Sequence, residues 1–538
     1  MTVLARLGAM LTDAALGLPL TATPHTVERD LPVAVPDGVS LLGDLYRPVG
    51  AGPLPVVLIR LPYGRAGLFG AIFGRTLARR GLQVFIQSTR GTFGSGGQFR
   101  PFTTEHEDGL ATVAWLRAQP WCDGRVAMTG GSYFGHTQWA VAPYVEPPLV
   151  AVSPHITASR VTTAFYDHGV PELENALNWS ASIGRQEAAG LPAQAPSPRK
   201  KARFRRAARM LPLQAADVAV AGAPVAFWRD FVEHAGPDDP FWSVANHDHV
   251  EMSRMPPVSM VTGWWDLFLP GQLRDYAALR AAGVDARLTV GPWLHGAAGE
   301  LRAMLRSDAA WLDHHLNGGP PPAGAPVRVH LQQGRKWLEF DRWPPPARAV
   351  PHFLRADGTL GPAPADGPPL RFTYDPADPT PSVGGPLLEP PGRQRDNRAL
   401  EARPDVLVFT GPPLPADTDI VGPVGARVHV RAALETADLF VRLCDVDPGG
   451  VSRNVVDGIR RLSGTGLQAV DVELFPTAYR VRAGHRLRVQ VSGGAFPRYA
   501  RNLGTPEPFG SATTLRRNDI EVHTDPEHPS HLTLPTLP

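Results

Sequence analysis

Short apolar runs of strand length recur near the beginning of the chain, and helical patterns separate them. Residues 56–59 and 83–86 are mostly apolar and are followed by polar, glycine-containing turns. A helical periodicity covers residues 71–80 and 106–118. Strands without polar alternation are buried on both faces of a sheet, and helices must cover those faces. The beginning of the chain therefore predicts an α/β fold with a mostly parallel sheet.

The α/β pattern is interrupted once and then resumes. Residues 151–254 are helix-like and rich in alanine and arginine. Strand patterns return at 258–262 and 286–290, so the helical stretch is predicted to be a cap inserted within one α/β domain. That domain would consist of residues 1–150 and 255–318.

The character of the chain changes again beyond residue 318. Proline becomes dense, and runs such as 426–431 and 485–491 alternate apolar with polar side chains. Period-two alternation between Pro and Gly turns is typical of antiparallel sheets. Residues 319–538 are therefore predicted to form an all-β sandwich or jelly roll.

The charge balance restricts the classes of partner. The 538 residues include 53 Lys and Arg against 51 Asp and Glu, and this near neutrality argues against a nucleic-acid partner. The basic run 199–206 is the local exception, and a solvated helix face is favoured there over a phosphate or membrane patch. No uninterrupted apolar stretch of about 18 residues exists, so no membrane association is predicted.

The cysteines and the N-terminal residues indicate the cellular compartment of the protein. Cys122 and Cys444 are the only cysteines and lie far apart, which excludes a disulfide framework and fits the reducing cytoplasm. Residues 1–20 are apolar, but Arg6 and Asp13 interrupt them without a strongly basic start. An amphipathic helix is therefore favoured over a secretory signal.

Ser132 stands between small residues where a strand pattern meets a helical one. The strand-like run 125–129 leads into Gly-Gly-Ser-Tyr-Phe-Gly at 130–135. A serine on a sharp strand-to-helix turn exposes its Oγ for attack on a carbonyl, provided that its neighbours are small. Gly130 and Gly135 would give that clearance, although the second glycine comes one residue later than in Gly-x-Ser-x-Gly. A Gly-rich connecting turn is the alternative interpretation.

A serine nucleophile requires a histidine base and an orienting carboxylate. Asp266 follows the predicted strand 258–262, and His295 follows the predicted strand 286–290. Their order after Ser132 is the one that α/β-hydrolases use. Individually, Asp266 could be a helix cap and His295 a surface loop residue. Together they predict a catalytic triad, and activity should fall on acidification because the base must be neutral.

These segments resemble a known family. Residues 130–135, 263–266 and 291–295 look like the three catalytic segments of the bacterial cocaine esterase and X-prolyl dipeptidyl-peptidase family. The resemblance extends to 61–63, 121–124 and 311–316, and covers the chain from about residue 27 to its end. It implies an α/β-hydrolase domain with an inserted helical cap, followed by an all-β jelly-roll (galactose-binding-like) domain.

The same resemblance implies an oxyanion hole and shows one departure. The two donors would be the backbone N–H of Tyr133 and the hydroxyl of Tyr63. Family members usually carry aspartate in an Asp-x-Arg-Gly segment, whereas this chain has Ser88 at that position. Arg90 must then find another partner, and Asp108 on the following helix is a candidate.

Aromatic residues mark a candidate acyl pocket. Phe165 and Trp179 lie in the cap pattern, and Phe268 follows Asp266 by two residues. Rigid aromatic side chains would hold an apolar or aromatic acyl group, while ordinary packing of the cap is the alternative. Glu172 and Glu174 are close in sequence, but nothing in the sequence directs them at the site.

No metal site and no cofactor are predicted. Residues 247–249, His-Asp-His, invite a metal interpretation, but two histidines at i and i+2 do not share a helix face and no third ligand is evident. His314 and His315 end a helical pattern, where histidine favours the helix dipole without a metal.

The sequence thus predicts a serine hydrolase that cleaves carboxylic esters through an acyl-enzyme on Ser132. A peptide or amide hydrolase of the X-prolyl dipeptidyl-peptidase or acylase type is the alternative within the same chemistry. A catalytically inactive binding protein is the alternative from another class. The expected partner is a small-molecule ester or acyl substrate, and a homodimer is left open.

Overall fold

The structure is a computed structural model, and the residues that it describes are 13–18, 21, 23–50, 52–189, 197–388 and 392–538. The helix predicted over residues 1–20 therefore lies mostly outside the described residues. Residues 13–16, which the structure does describe, are helical.

The described N-terminal part contains one large mixed sheet. The ten strands of this sheet are β1 His25–Ala34, β2 Ser40–Pro48, β3 Leu54–Leu61, β4 Gln83–Ser88, β5 Cys122–Gly131, β6 Val152–His155, β9 Val258–Trp265, β10 Ala286–Leu294, β11 Val327–Leu331 and β12 Lys336–Phe340. β7 Tyr166–Asp167 and β8 Val170–Pro171 form a separate hairpin. The order across the sheet is β1-β2-β4-β3-β5-β6-β9-β10-β11-β12. The pairings from β4 to β11 are parallel. The α/β prediction is confirmed.

Helices cover the sheet and build the cap. The longer ones are α1 Glu105–Arg117, α2 Tyr133–Trp139, α3 Leu173–Ile183, α4 Pro198–Ala208, α5 Ala216–Ala221, α6 Ala226–Glu233, α7 Leu269–Ala281 and α8 Ala298–Leu312. Shorter helical turns lie at Gly67–Phe69, Gly70–Arg75, Thr76–Ala78, Ala142–Tyr144, Val161–Ala164, Gln186–Ala189, Leu213–Ala215, Pro240–Val244, Met252–Arg254, Asp313–Asn317 and Arg398–Glu401. No helix among the described residues is long and apolar enough to cross a membrane.

The central strands are apolar because both of their faces are covered. Every residue of β4 and β9 is buried, which matches the continuous apolar runs in the sequence. The cap helices α3 to α6 lie between β6 and β9 in the chain. The cap shares a cluster of buried apolar side chains with Phe268 and with Phe496 of the C-terminal part. Three parts of the chain therefore meet in one apolar region.

The C-terminal part is all-β. Its strands are β13 Arg348–Leu354, β14 Leu360–Gly361, β15 Leu370–Tyr374, β16 Val406–Pro413, β17 Thr418–Ala432, β18 Thr436–Val446, β19 Ser452–Ser463, β20 Gln468–Val481, β21 Arg486–Ser492, β22 Asn518–His523 and β23 His531–Thr536. They form a seven-stranded and a four-stranded sheet with antiparallel pairings. The predicted sandwich is confirmed.

The first sheet continues beyond residue 318, where the sequence analysis ended the α/β domain. β11 pairs with β10 in parallel, and β12 closes that edge by pairing with β11. The proline-dense connection before Val327 hides this continuation in the sequence, because proline interrupts the local strand signal. The first sheet therefore ends at Phe340, and the all-β C-terminal part follows it.

Arg90 has the substitute partner that the sequence analysis suggested. Its guanidinium donates two hydrogen bonds to Asp108, at 3.0 and 2.6 Å, and a third to Asp37 at 2.6 Å. Asp108 is buried, whereas Asp37 is largely exposed. These bonds raise the pKa of Arg90, with the Asp108 carboxylate as the main cause. The departure at Ser88 is therefore compensated within the fold.

Replacing Asp108 by alanine is expected to destabilise the protein by about 3–5 kcal/mol, because the guanidinium of Arg90 would lose its buried counter-charge. Thermal or chemical unfolding of the purified variant measures the effect. Asp37→Ala is the matched control, since it removes the exposed partner of the same arginine and should hardly move the midpoint. Equal effects of the two substitutions would contradict the assignment.

Candidate active site

Ser132 occupies a strained turn between β5 and α2. Its backbone lies at φ 58° and ψ −125°, a conformation that non-glycine residues rarely adopt. The N–H of Ser132 donates to the carbonyl of His155 at 3.0 Å, which ties the turn to β6. Gly130 has φ +145°, and a Cβ on Gly135 would lie 2.8 Å from that same carbonyl. The glycines are therefore required for the close approach that exposes Oγ.

Ser132, His295 and Asp266 form a continuous hydrogen-bonded chain. The Ser132 hydroxyl donates to Nε2 of His295 at 3.0 Å, and Nδ1–H of His295 donates to Oδ2 of Asp266 at 2.7 Å. The second carboxylate oxygen of Asp266 accepts the N–H of Phe268 at 2.7 Å. Asp266 is fully buried. The structure thus brings the three predicted residues together in the geometry of a nucleophile, a base and an orienting acid.

Two hydrogen-bond donors lie beside the nucleophile. Tyr133 is the first residue of α2, where a backbone N–H has no partner within the helix. The hydroxyl of Tyr63 lies within hydrogen-bonding reach of Ser132 and accepts Nε1–H of Trp179 at 3.4 Å. Burial raises the pKa of Tyr63 to about 12, so the phenol stays protonated and can donate at neutral pH.

An apolar recess adjoins the nucleophile. Phe165, Trp179 and Phe268, the three predicted pocket residues, all line it together with Ser132 and His295. Its other lining residues include Phe102, Val161, Leu267 and Leu388. Among the described residues none that line the recess is an acid, a lysine or an arginine.

The recess opens into a wider cleft of about 1590 Å³ that also contains Ser132 and His295. The basic run of the sequence lies on α4, and Lys200, Lys201 and Arg203 line this cleft. Glu174 lines it as well. The second acid that the sequence analysis considered is directed elsewhere, because Glu172 is buried and paired with Arg498. Burial raises the pKa of Glu172 to about 8 although Arg498 opposes that shift.

Comparison with known proteins identifies the family. A family model described as X-Pro dipeptidyl-peptidase (S15 family) matches residues 37–297, and one described as X-Pro dipeptidyl-peptidase C-terminal non-catalytic domain matches residues 323–533. The cocaine esterase of Rhodococcus sp. (strain MB1 Bresler) is 32% identical, over 95% of this chain and 99% of that protein. The chain belongs to the S15 family of serine hydrolases.

Solved structures support the fold of this S15 family member. The aminopeptidase from the marine sediment archaeon Thaumarchaeota archaeon aligns with a TM-score of 0.79 at 22% identity, covering 97% of this chain and 99% of that one. An α-amino acid ester hydrolase aligns with a TM-score of 0.77 at 23% identity, covering 97% and 98%. At these identities the likeness concerns the fold alone.

Glu300 is a residue of the site that the sequence analysis missed. It is fully buried in the first turn of α8, and its Oε2 accepts the N–H of Gly296, next to His295, at 2.7 Å. Burial and then the nearby carboxylate of Asp266 hold the pKa of Glu300 well above its ordinary value. It fixes the loop that carries the base. An acid in the first turn of a helix is a capping signal that the sequence does contain.

His155 and Asp308 form a buried pair, also missed by the sequence analysis, that supports the turn at Ser132. Nε2–H of His155 donates to Asp308 of α8 at 2.9 Å, and Nδ1 of His155 accepts the N–H of Val261 at 3.0 Å. All of these groups are buried. Because the carbonyl of His155 holds the N–H of Ser132, the pair links the turn to β9 and α8. No local pattern in the sequence indicates a contact between residues so far apart.

Proposed function

We propose that the protein hydrolyses carboxylic esters through a covalent acyl-enzyme on Ser132. The Oγ of Ser132 attacks the ester carbonyl carbon while Nε2 of His295 takes the hydroxyl proton. The ester C–O bond then breaks, and His295 gives the proton to the leaving alcohol. A water molecule, deprotonated by His295, attacks the acyl-enzyme and releases the acid, which restores Ser132.

The observation that carries the proposal is the chain from Ser132 through His295 to Asp266 on a strained turn. With Oγ of Ser132 3.0 Å from Nε2 of His295, the hydroxyl proton can pass directly to the base, and the 2.7 Å hydrogen bond from Nδ1–H to Asp266 holds the ring in that orientation. Tyr133 N–H and Tyr63 O–H are the proposed donors to the oxyanion that forms on the carbonyl oxygen. Asp266 orients His295 and stabilises its cationic form.

The apolar recess supports ester over dipeptide substrates. Phe165, Trp179 and Phe268 are the proposed acyl-binding residues. His136 also lines the recess, and burial lowers its pKa to about 4, so it is neutral at pH 7. An acyl group with an ammonium would find no counter-charge there. The relative with 32% identity is named a cocaine esterase, which agrees with ester hydrolysis.

One observation favours the peptide or amide alternative. Glu174 lines the wide cleft that contains Ser132, and its carboxylate could meet the N-terminal ammonium of a peptide. The family name agrees with that chemistry.

Turnover of p-nitrophenyl esters against Ala-Pro and Gly-Pro anilides separates the two chemistries. We expect rapid hydrolysis of the acetyl, butyryl and benzoyl esters and little or no release of aniline. The same assays on Glu174→Gln show whether the carboxylate contributes to either substrate class. Faster turnover of the dipeptide anilides than of the esters, lost in Glu174→Gln, would replace the proposal by the peptidase alternative.

Replacing Tyr63 by phenylalanine is expected to lower kcat for ester hydrolysis by about 10²- to 10³-fold, because one oxyanion donor is lost. KM should change much less, since the bond is made mainly in the transition state. Tyr276→Phe is the matched control, because Tyr276 is buried and its hydroxyl has no hydrogen-bond partner in the described part of the chain. Unchanged turnover of Tyr63→Phe would remove Tyr63 from this role.

We also propose a cytoplasmic location. Cys122 and Cys444 are both buried free thiols, which suits a reducing compartment. Fractionation of the source cells, with the esterase activity followed across cytoplasmic, periplasmic and secreted fractions, tests this location, and activity confined to the secreted fraction would contradict it.

A further inference from the structure

Metal-binding side chains gather at the end of β22, in the C-terminal part and outside the candidate active site. His523 is the last residue of β22, and Asp525 and His528 lie in the turn that leads to β23. His429 of β17 is paired directly with His523 across the two strands. The imidazole rings of His523 and His429 lie 5.4 and 5.6 Å from that of His528. The ligand atoms of His523, Asp525 and His528 all lie within 4.8 Å of one another, and the ring of His429 lies beside that of His528.

The separations between the ligand atoms are close to those around a single zinc ion. Nδ1 of His528 lies 3.1 and 3.3 Å from the two carboxylate oxygens of Asp525. Nδ1 of His523 lies 4.0 Å from Oδ2 of Asp525. Two ligand atoms bound tetrahedrally to Zn²⁺ at about 2.0–2.1 Å are about 3.3 Å apart. One ligand atom from each of the three residues lies within 4.8 Å of the other two, so side-chain rotations would bring them to the separations of a bound ion.

The surroundings hold these side chains in place. Oδ1 of Asp525 accepts the backbone N–H groups of Glu527 and His528 at 3.0 and 3.1 Å, so its carboxylate is fixed within the turn. The N–H of His429 donates to Oγ of Ser530, whose own hydroxyl donates to the carbonyl of His523. The site is therefore braced by backbone contacts from both strands and from the turn.

Two ring nitrogens at this point have no hydrogen-bond partner among the described residues. They are Nδ1 of His429 and Nε2 of His523, and both atoms are buried. Nε2 of His523 lies 3.7 Å from Oε2 of Glu521, a carboxylate on the side of the ring opposite to the proposed ligand atom. This separation is longer than a hydrogen bond, and a small rotation of the ring would give Nε2–H the kind of acceptor that metal-binding histidines characteristically have. Nδ1 of His429 is thus a buried nitrogen without a hydrogen-bond partner among the described residues, beside the three proposed ligands.

We propose that His523, Asp525 and His528 bind one Zn²⁺ ion, with His429 or a water molecule as the fourth ligand. Two or three imidazole nitrogens with one carboxylate favour zinc over Mg²⁺ or Ca²⁺, which prefer oxygen ligands throughout. The metal connects the turn before β23 to β22, and through His429 to β17. β23 lies between β13 and β17 in the seven-stranded sheet, so the bound ion would stabilise the position of β23 in that sheet.

Zinc titration of the full chain after EDTA treatment and dialysis tests the proposal. We expect one Zn²⁺ per chain by calorimetry and by elemental analysis of the dialysed complex. Bound zinc should also raise the midpoint of thermal unfolding as its concentration exceeds Kd, since only the folded turn offers all ligands. His523→Ala/His528→Ala should bind no zinc at this stoichiometry and should lose the thermal shift.

Asp525→Asn keeps the proposal testable if the double variant folds poorly. The asparagine side-chain oxygen still accepts the two backbone N–H groups of the turn, while the loss of charge should weaken zinc binding by about 10- to 100-fold. His314→Ala/His315→Ala is the matched control, because it also removes two histidines and should keep the site. The proposal is overturned if the wild-type chain binds no zinc below millimolar concentration. It is equally overturned if the His523/His528 variant binds as the wild type does, which would indicate adventitious surface binding.

Discussion

Replacing Ser132 by alanine is expected to lower kcat for p-nitrophenyl ester hydrolysis by about 10⁵- to 10⁶-fold, with the fold unchanged. The Oγ atom is the only nucleophile that the structure aligns with Nε2 of His295, at 3.0 Å, among the described residues. A residual acceleration over water should persist, because the oxyanion donors and the substrate cleft remain. Alanine also fits the turn sterically, since it is smaller than serine.

The measurement is single-turnover and steady-state hydrolysis together with labelling by a fluorophosphonate probe. Wild-type protein should carry one adduct on Ser132, and the alanine variant should carry none. Ser182→Ala is the matched control, because Ser182 lines the same wide cleft without a hydrogen bond to His295. Turnover that survives in Ser132→Ala, or an adduct on another residue, would contradict the acyl-enzyme mechanism.

Replacing Asp266 by asparagine is expected to lower kcat by about 10⁴-fold. The neutral amide cannot stabilise the cationic imidazole that forms when His295 takes the proton from Ser132. It also permits the wrong tautomer, in which Nδ1 accepts a hydrogen bond and Nε2 carries the proton. Size and shape are conserved, so the 2.7 Å contacts to His295 and to the N–H of Phe268 can persist in the variant.

Steady-state kinetics with the same ester measure this loss, and circular dichroism checks the fold. Asp275→Asn is the matched control, because Asp275 is also a buried aspartate that accepts hydrogen bonds, from the backbone and hydroxyl of Ser159. Its substitution should affect stability more than kcat. A loss of kcat in Asp266→Asn below about tenfold would show that another group orients His295.

Much of the architecture follows from local pattern. Continuous apolar runs indicate strands buried on both faces, and the runs at 56–59 and 258–262 became the centre of β3 and the beginning of β9, which are both 8 residues long. Helical periodicity at 106–118 became α1, Glu105–Arg117. The alternating runs of the C-terminal part became antiparallel strands. Local pattern failed to predict β11 and β12, which extend the first sheet, because the neighbouring proline-rich segment interrupts the strand signal.

The candidate site was predictable where chemistry demands particular residues in a particular order. A serine among glycines after a strand, then an acid and a histidine after later strands, is a pattern of spacing and type. The substitute partner of Arg90 was also predictable from the sequence, because Asp108 lies on the helix that follows it. Glu300 did leave a local signal, an acid in the first turn of a helix, which the sequence analysis did not use. The His155–Asp308 pair left none, since a buried contact between distant residues has no local pattern.

The sequence by itself determined the strand-to-helix turn at Ser132, because the glycines at 130, 131 and 135 allow a backbone conformation that bulkier residues would prevent. It also determined the residue types that serine hydrolysis needs and their order. Only the tertiary structure decided that these residues meet. His295 is 163 positions from Ser132, and the parallel order β5-β6-β9-β10 places the C-terminal ends of their strands along the same edge of the sheet. The tertiary structure also forms the recess, because Leu388, which follows the first sheet in the chain, lines it together with residues of the cap. The physical reason is that contacts between remote segments depend on strand order and packing, which are global properties of the folded chain and are not written in any local stretch of it.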